Sequence, residues 1–144
     1  MSYPIGQNIQ TNKPYIATMI DGFKSIEEFK DKYVNIICRG SSGAIIAGFF
    51  SLSIENEHRI VHIKKQGESS HNDDVCLRTG NDVINLIVDD FMCTGKTINA
   101  IYERLKSIRG YEDIKIDCLC ISGQYGEKSI YFDPNYLICG RIGE

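Results

Sequence analysis

The chain has 144 residues, of which 42% are hydrophobic and 24% charged, with a formal net charge of −3. This is the length of one domain, able to bury roughly two-thirds of its unfolded surface, so disordered, collagenous and disulfide-stapled classes are excluded. The acidic balance argues against nucleic acid or an anionic membrane surface as a bulk partner, and no apolar run approaches the ~18 residues of a membrane span. In chain order, residues 1–24 carry no readable element, and Met1-Ser2-Tyr3-Pro4 lacks a basic-then-apolar leader. Ser25-Ile26-Glu27-Glu28 has capping-box spacing and predicts a short helix to about Tyr33. Val34 to Cys38 reads as a strand, Arg39-Gly40-Ser41-Ser42-Gly43 as a turn, and Ala44 to Leu52 as a helix apolar nearly all round, hence covered on more than one side. Arg59 to Lys65 predicts a second strand, followed by the polar stretch Gln66 to Asp74. Val83 to Val88 is a third strand of the buried type. Ile98, Ile101, Tyr102, Leu105 and Ile108 give helical spacing over Thr97 to Arg109, stopped by Gly110. Ile114 to Ile121 and Tyr136 to Cys139 complete five strands. Apolar strands alternating with helices predict right-handed crossovers and an α/β fold, with a central, mostly parallel five-stranded sheet flanked by helices.

Six cysteines are too few for a disulfide scaffold, and Cys38, Cys118, Cys120 and Cys139 stand in apolar runs. Reduced, buried thiols and a cytoplasmic protein are expected.

Ligands of such sheets bind where strands end and helices begin. The third strand runs into Asp89-Asp90-Phe91-Met92-Cys93-Thr94-Gly95-Lys96-Thr97 and then a helix. Helix N-terminal N–H groups carry partial positive charge, Gly95 lets the backbone close on an anion, and Thr94 and Thr97 add hydroxyl donors. Cys93, Thr94, Gly95, Lys96 and Thr97 thus form a candidate cradle for a monophosphate. Asp89 and Asp90, one short loop away, are placed for ribose hydroxyls or for the water shell of Mg²⁺. A nucleotide-triphosphatase loop is excluded, because the glycine it needs five residues before Gly95 is Asp90.

Ile87-Val88-Asp89-Asp90-Phe91-Met92-Cys93-Thr94-Gly95-Lys96-Thr97 resembles the phosphoribosyl-pyrophosphate (PRPP) signature of type I phosphoribosyltransferases. The resemblance implies a five-stranded parallel sheet with a small hood, here from residues 1–24 and 122–144 of a single domain spanning 1–144. It implies transfer of ribose-5-phosphate from PRPP to a nucleobase, with Mg²⁺ and release of pyrophosphate. Asp89 and Asp90 would then be catalytic and hold the metal largely through water. The family's pyrophosphate turn falls on Arg39, Gly40 and Ser41, and a non-proline cis peptide is expected there, at Cys38–Arg39 or Arg39–Gly40. Its mobile lid falls on Lys64-Lys65-Gln66-Gly67-Glu68-Ser69-Ser70-His71, where Lys64 and Lys65 would neutralise the leaving pyrophosphate; none of His58, His62 and His71 has a distinct claim.

Local motifs are nearest the hypoxanthine–guanine branch. Cys93 replaces that branch's Asp near the purine, Ser122 its Lys that reads the 6-oxo group, and Leu137 its stacking aromatic. Tyr131, Phe132, Leu137 and Ile138 are the candidate base-pocket residues. The weak base site leaves a second reading open, a catalytically silent PRPP or nucleotide sensor of the same fold. A homodimer is expected from the apolar helix 44–52.

Overall fold

Strands whose side chains are apolar on both faces need cover on both sides, and that requirement organises this molecule. The computed structural model describes residues 9–64, 75–92, 95–124 and 130–141. The elements in chain order are α1 (Ile9–Lys24), β1 (Tyr33–Arg39), α2 (Gly40–Ser53), β2 (His58–Ile63), β3 (Val83–Met92), α3 (Lys96–Lys106), β4 (Cys118–Gln124) and β5 (Tyr136–Cys139). The strands form one five-stranded sheet in the order β2-β1-β3-β4-β5, and every neighbouring pair is parallel. The expected architecture is therefore the observed one.

Alternation along the strands divides the core. Val34, Ile36 and Cys38 of β1, Ile84, Leu86 and Val88 of β3, and Cys118 and Cys120 of β4 face α1 and α2. Ile37, Ile87, Leu119 and Ile121 face the opposite layer, where Ile98, Ile101 and Leu105 of α3 cover them.

Several local expectations need correction. Residues 1–24 do contain an element: Ile16, Met19, Ile20 and Phe23 of α1 are buried at helical spacing against the sheet. No α-helix runs from Ser25 to Tyr33. The Ser25 hydroxyl donates back to the Gly22 carbonyl at 2.7 Å, closing α1, and only a single 3-10 turn, Glu27–Phe29, follows. Gly40 to Gly43 are the first turn of α2 rather than a separate bend. Strand β4 begins at Cys118, not Ile114, because Asp117 turns its carboxylate onto the Asn85 N–H at 2.8 Å; it then continues to Gln124 alongside the longer β3. The cover expected around α2 is incomplete among the described residues, with Leu52 88% exposed.

Buried polar groups fix the amino-terminal half of the sheet. Asn35, fully buried in β1, donates to Asn85 Oδ1 and to the Arg78 carbonyl, both at 2.9 Å, and accepts from the Arg78 N–H at 3.1 Å. Asn85 in turn donates to the Lys115 carbonyl at 3.1 Å. Every partner lies far away in sequence, so this network ties residues 78 and 115 to the sheet.

Candidate functional site

Because all strands are parallel, their carboxyl ends share one edge. Arg39 pairs with Ile63, Asp89 with Ile121, and Ile121 with Cys139. The pair Ile37–Ile87 sets Arg39 level with Asp89, two residues on. Lys64, Arg39, Gly40, Asp89, Asp90, Ser122 and Gly140 consequently stand along one ridge.

Two helices start on that ridge, each through a glycine in the left-handed region: Gly40 at φ 78° opening α2 and Gly95 at φ 83° preceding α3. An L-residue with a Cβ would be strained at either position. Neither N-cap, Arg39 or Gly95, makes a side-chain capping bond, and neither first turn holds an acidic residue. Both helix starts thus leave their positive ends available to an anion.

Asp89 and Asp90 are part of β3 itself, which runs past them to Met92. Asp89 is 7% exposed, and its Oδ1 lies 3.7 Å from where a Cβ on Gly43 would sit, so this carboxylate is lodged against the first turn of α2. Asp90 is half-buried beside it. Burial, helped by the neighbouring Asp89 carboxylate, pushes the Cys38 thiol up to about 12, so this thiol stays protonated at neutral pH.

Among the described residues three side-chain polar atoms at this edge are buried without a hydrogen bond of their own: Arg39 Nε, Arg141 Nε and Ser122 Oγ, the last on a fully buried residue. Such groups cost free energy unless something satisfies them.

The structure brings Lys64, Arg39, Gly40, Ser41, Asp89, Asp90, Gly95, Lys96 and Thr97 to the same edge. Lys64, Ser41, Lys96 and Thr97 are exposed there. Cys93, Thr94 and Lys65 lie outside the described residues, as do Gln66 to His71. The peptide bonds at Cys38–Arg39 and Arg39–Gly40 are both trans, contrary to expectation, and Gly40's positive φ makes the bend instead.

The base-pocket candidates are not gathered. Phe132 is buried on the α3 side, stacked on Tyr102 at 4.4 Å, while Ile138 packs on the opposite face beside Gly22. Tyr131 is exposed, its N–H bonded to Asn99 Oδ1 at 2.8 Å. Leu137 is 38% exposed and pairs with Leu119, below the ridge. Sequence reasoning passed over Arg141, which follows β5 at the same edge with its guanidinium 5.4 Å from the Tyr15 ring. Its only signal was an arginine one residue beyond the end of the last strand. Gly43 was read merely as part of a turn.

No protein-family model matches the sequence, and no curated protein does. Solved structures match the fold. A hypoxanthine-guanine phosphoribosyltransferase from Bacillus anthracis superposes with a TM-score of 0.56 at 15% identity, over 88% of this chain and 78% of that one. A purine phosphoribosyltransferase from Pyrococcus horikoshii gives 0.52 at 23% identity, over 87% and 81%. An orotate phosphoribosyltransferase from Aeropyrum pernix gives 0.52 at 17%, over 79% of this chain and 59% of that one. The fold is therefore that of the type I phosphoribosyltransferases.

Proposed function

We propose that this chain is a phosphoribosyltransferase, moving ribose-5-phosphate from PRPP to a nucleobase with release of pyrophosphate. The observation that carries the reading is the buried Asp89 beside half-buried Asp90 at the tip of β3, set between two helix starts that each open through a left-handed glycine. One helix start suits a monophosphate and the other a diphosphate, and a ribose between them would place its hydroxyls at the carboxylates.

Displacement at the anomeric carbon builds positive charge on the sugar and negative charge on the departing diphosphate. The protein's task is then positioning and electrostatic stabilisation. On this reading Gly95, Lys96 and Thr97, with Cys93 and Thr94, hold the 5′-phosphate. Arg39, Gly40 and Ser41 hold the diphosphate, and Lys64 and Lys65 add positive charge as it leaves. Asp89 and Asp90 orient the ribose hydroxyls.

The same two carboxylates fit Mg²⁺, which takes one or two protein carboxylates and fills its other positions with water and phosphate oxygens. No group of three or more His, Cys, Asp or Glu that could hold a metal occurs among the described residues, so the ion would be shared with the donor's phosphates. When bound, Mg²⁺ would neutralise charge on the leaving diphosphate.

The acceptor pocket is not built from Leu137, Ile138, Tyr131 and Phe132 together, since Phe132 and Ile138 lie on opposite faces of the sheet; on this reading the hood comes from 1–24 and 122–144 of a single domain. Among the described residues no helix is long and apolar enough to cross a membrane, and the described cysteines are free; a cytoplasmic location fits the latter.

Ser122 favours a second reading. A buried hydroxyl without a partner, where the purine enzymes' lysine is expected, fits a silent PRPP or nucleotide sensor. Incubating the protein with PRPP, Mg²⁺ and each common nucleobase separates the two. Pyrophosphate release with one base is the expected result. Measurable PRPP binding with no release from any base establishes the sensor, and no PRPP binding at all overturns both.

A further inference from the structure

Ser51 stands in the last turn of α2 and His58 opens β2. The Ser51 hydroxyl lies 2.7 Å from His58 Nε2, and His58 Nδ1 lies 2.8 Å from the Asn56 carbonyl oxygen. A carbonyl oxygen only accepts, so Nδ1 carries the ring hydrogen, and in the neutral imidazole Nε2 keeps its lone pair. The hydroxyl therefore donates to Nε2. A hydroxyl, an imidazole that accepts its proton and a third group that orients the imidazole make a nucleophile with its base attached.

The surroundings leave this hydroxyl within reach. Ser51 and His58 are half-buried rather than enclosed. One turn before Ser51, Gly48 has nothing within 4 Å of its Cβ position, so that flank of the helix is open. His58 pairs with Val34 and Ile60 with Ile36, both of which face α1 and α2. Ile60 thus lies on the same face as His58, one pleat further along β2, and is 46% exposed. It gives a short acyl chain an apolar rest beside the hydroxyl. The last turn of a helix presents carbonyl groups, the wrong dipole for an oxyanion. An N–H group aimed at the oxyanion is worth about 100- to 1000-fold in rate, so amides are out of range while donors with a good leaving group are not.

We infer that Ser51 is an acyl-acceptor site, taking a short apolar acyl group from an activated ester or thioester with His58 as general base. The Ser51 oxygen bonds to the carbonyl carbon, and the bond from that carbon to the leaving oxygen or sulfur breaks. The hydroxyl proton passes to His58 Nε2 and from there to the departing alcohol or thiol. The product is an ester on Ser51. This inference is independent of the phosphoribosyltransferase reading, since Ser51 lies about 16 Å along α2 from Gly40.

The probe is p-nitrophenyl butyrate on the full chain, followed by p-nitrophenolate release and by peptide mass mapping, with circular dichroism to confirm folding. Lysines also take acyl groups from such esters, but as amides, whereas hydroxylamine removes an ester from serine. The wild type is expected to gain one hydroxylamine-labile butyryl group, on Ser51, and Ser51→Ala none. His58→Gln should acylate at Ser51 about a hundredfold more slowly. Ser53, half-buried in the same turn of α2, is an internal control within the wild type and should stay unlabelled. A wild type with no labile acyl group on Ser51 overturns the proposal. So does an unchanged Ser51 rate in folded His58→Gln, or equal labelling of Ser51 and Ser53, which needs no variant to fold.

Discussion

The two edges of the sheet handle buried polarity in opposite ways. At the amino edge buried polarity is matched: Asn35 and Asn85 of the strands and Arg78, Lys115 and Asp117 beside them exchange hydrogen bonds of 2.8 to 3.1 Å. At the carboxyl edge Arg39 Nε and Ser122 Oγ have no hydrogen-bond partner among the described residues, and a carboxylate is buried at Asp89. A cleft of about 860 Å³ opens at the amino edge, lined by Lys30, Asp31, Tyr33, Glu57, Arg78 and Asp82 among others. Size therefore does not mark the chemistry. On the proposed function unsatisfied polarity does, because a buried polar atom without a partner costs free energy unless a ligand satisfies it.

If that contrast is right, lesions at the carboxyl edge should cost turnover and those at the amino edge should cost stability. The largest effect is expected from Asp89→Asn with Asp90→Asn. Pyrophosphate release should fall at least about a thousandfold while the melting temperature moves by only a few degrees. A double variant that still turns over at the wild-type rate removes the assignment.

Next comes Gly140→Ala, an exception to that division, since Gly140 stands at the carboxyl edge but packs against the backbone of α1. A Cβ there would sit 2.0 Å from the Tyr15 carbonyl oxygen, a backbone atom that cannot swing aside, so α1 must lift from β5. A loss of about 3 kcal/mol is expected by denaturant unfolding, and an unchanged midpoint would show that α1 does not seat as described. Asn35→Ala should cost about 2–3 kcal/mol, since it strands the Arg78 amide and carbonyl and Asn85 Oδ1 in the interior. Its catalytic rate per folded molecule should stay near wild type; a large drop in rate with little loss of stability would reverse the roles of the two edges. Ser122→Ala, by contrast, removes a hydroxyl that has no partner and should change stability by less than about 1 kcal/mol.

The smallest effect concerns pH. Burial is the leading cause that raises the Asp117 carboxyl above its ordinary range, outweighing the Asn85 N–H and the lysines Lys32 and Lys115, which lower it. A carboxyl raised on folding adds stability that is complete below its unfolded value and is lost as pH rises through the folded one. Asp117→Asn should therefore be slightly more stable than wild type at neutral pH and should flatten the pH dependence of melting in the weakly acidic range. Identical slopes in both proteins would contradict the assignment.

The fold was legible where one local pattern dominated. Buried apolar runs marked β1, β3 and β5, the spacing of Ile98, Ile101 and Leu105 marked α3, and the acid pair followed by Thr-Gly-Lys-Thr marked the ridge. Helix α1 was equally written in Ile16, Met19, Ile20 and Phe23, but Pro14 within the segment masked its start. Ser25 had the capping-box spacing yet closes the preceding helix, since one hydroxyl can serve a carbonyl behind it or an amide ahead. The start of β4 was misjudged because Asp117 spends its carboxylate on a partner 32 residues away, which no local pattern announces. The base-pocket residues suffered likewise: whether Phe132 and Ile138 share a face depends on crossovers that sequence spacing does not record.

The seat of α1 carries a consequence for how the molecule is made. Helix α1 packs on β4 and β5, which follow it in the chain after the other three strands, and β1 lacks its inner neighbour until β3 arrives, with Asn35 and Asn85 fifty residues apart. Helix α1 therefore reaches its full seat only once β4 and β5 have been made. Until then the nascent chain exposes open strand edges to whatever surrounds it, a slow, long-range closure that makes chaperone dependence a natural companion of this topology.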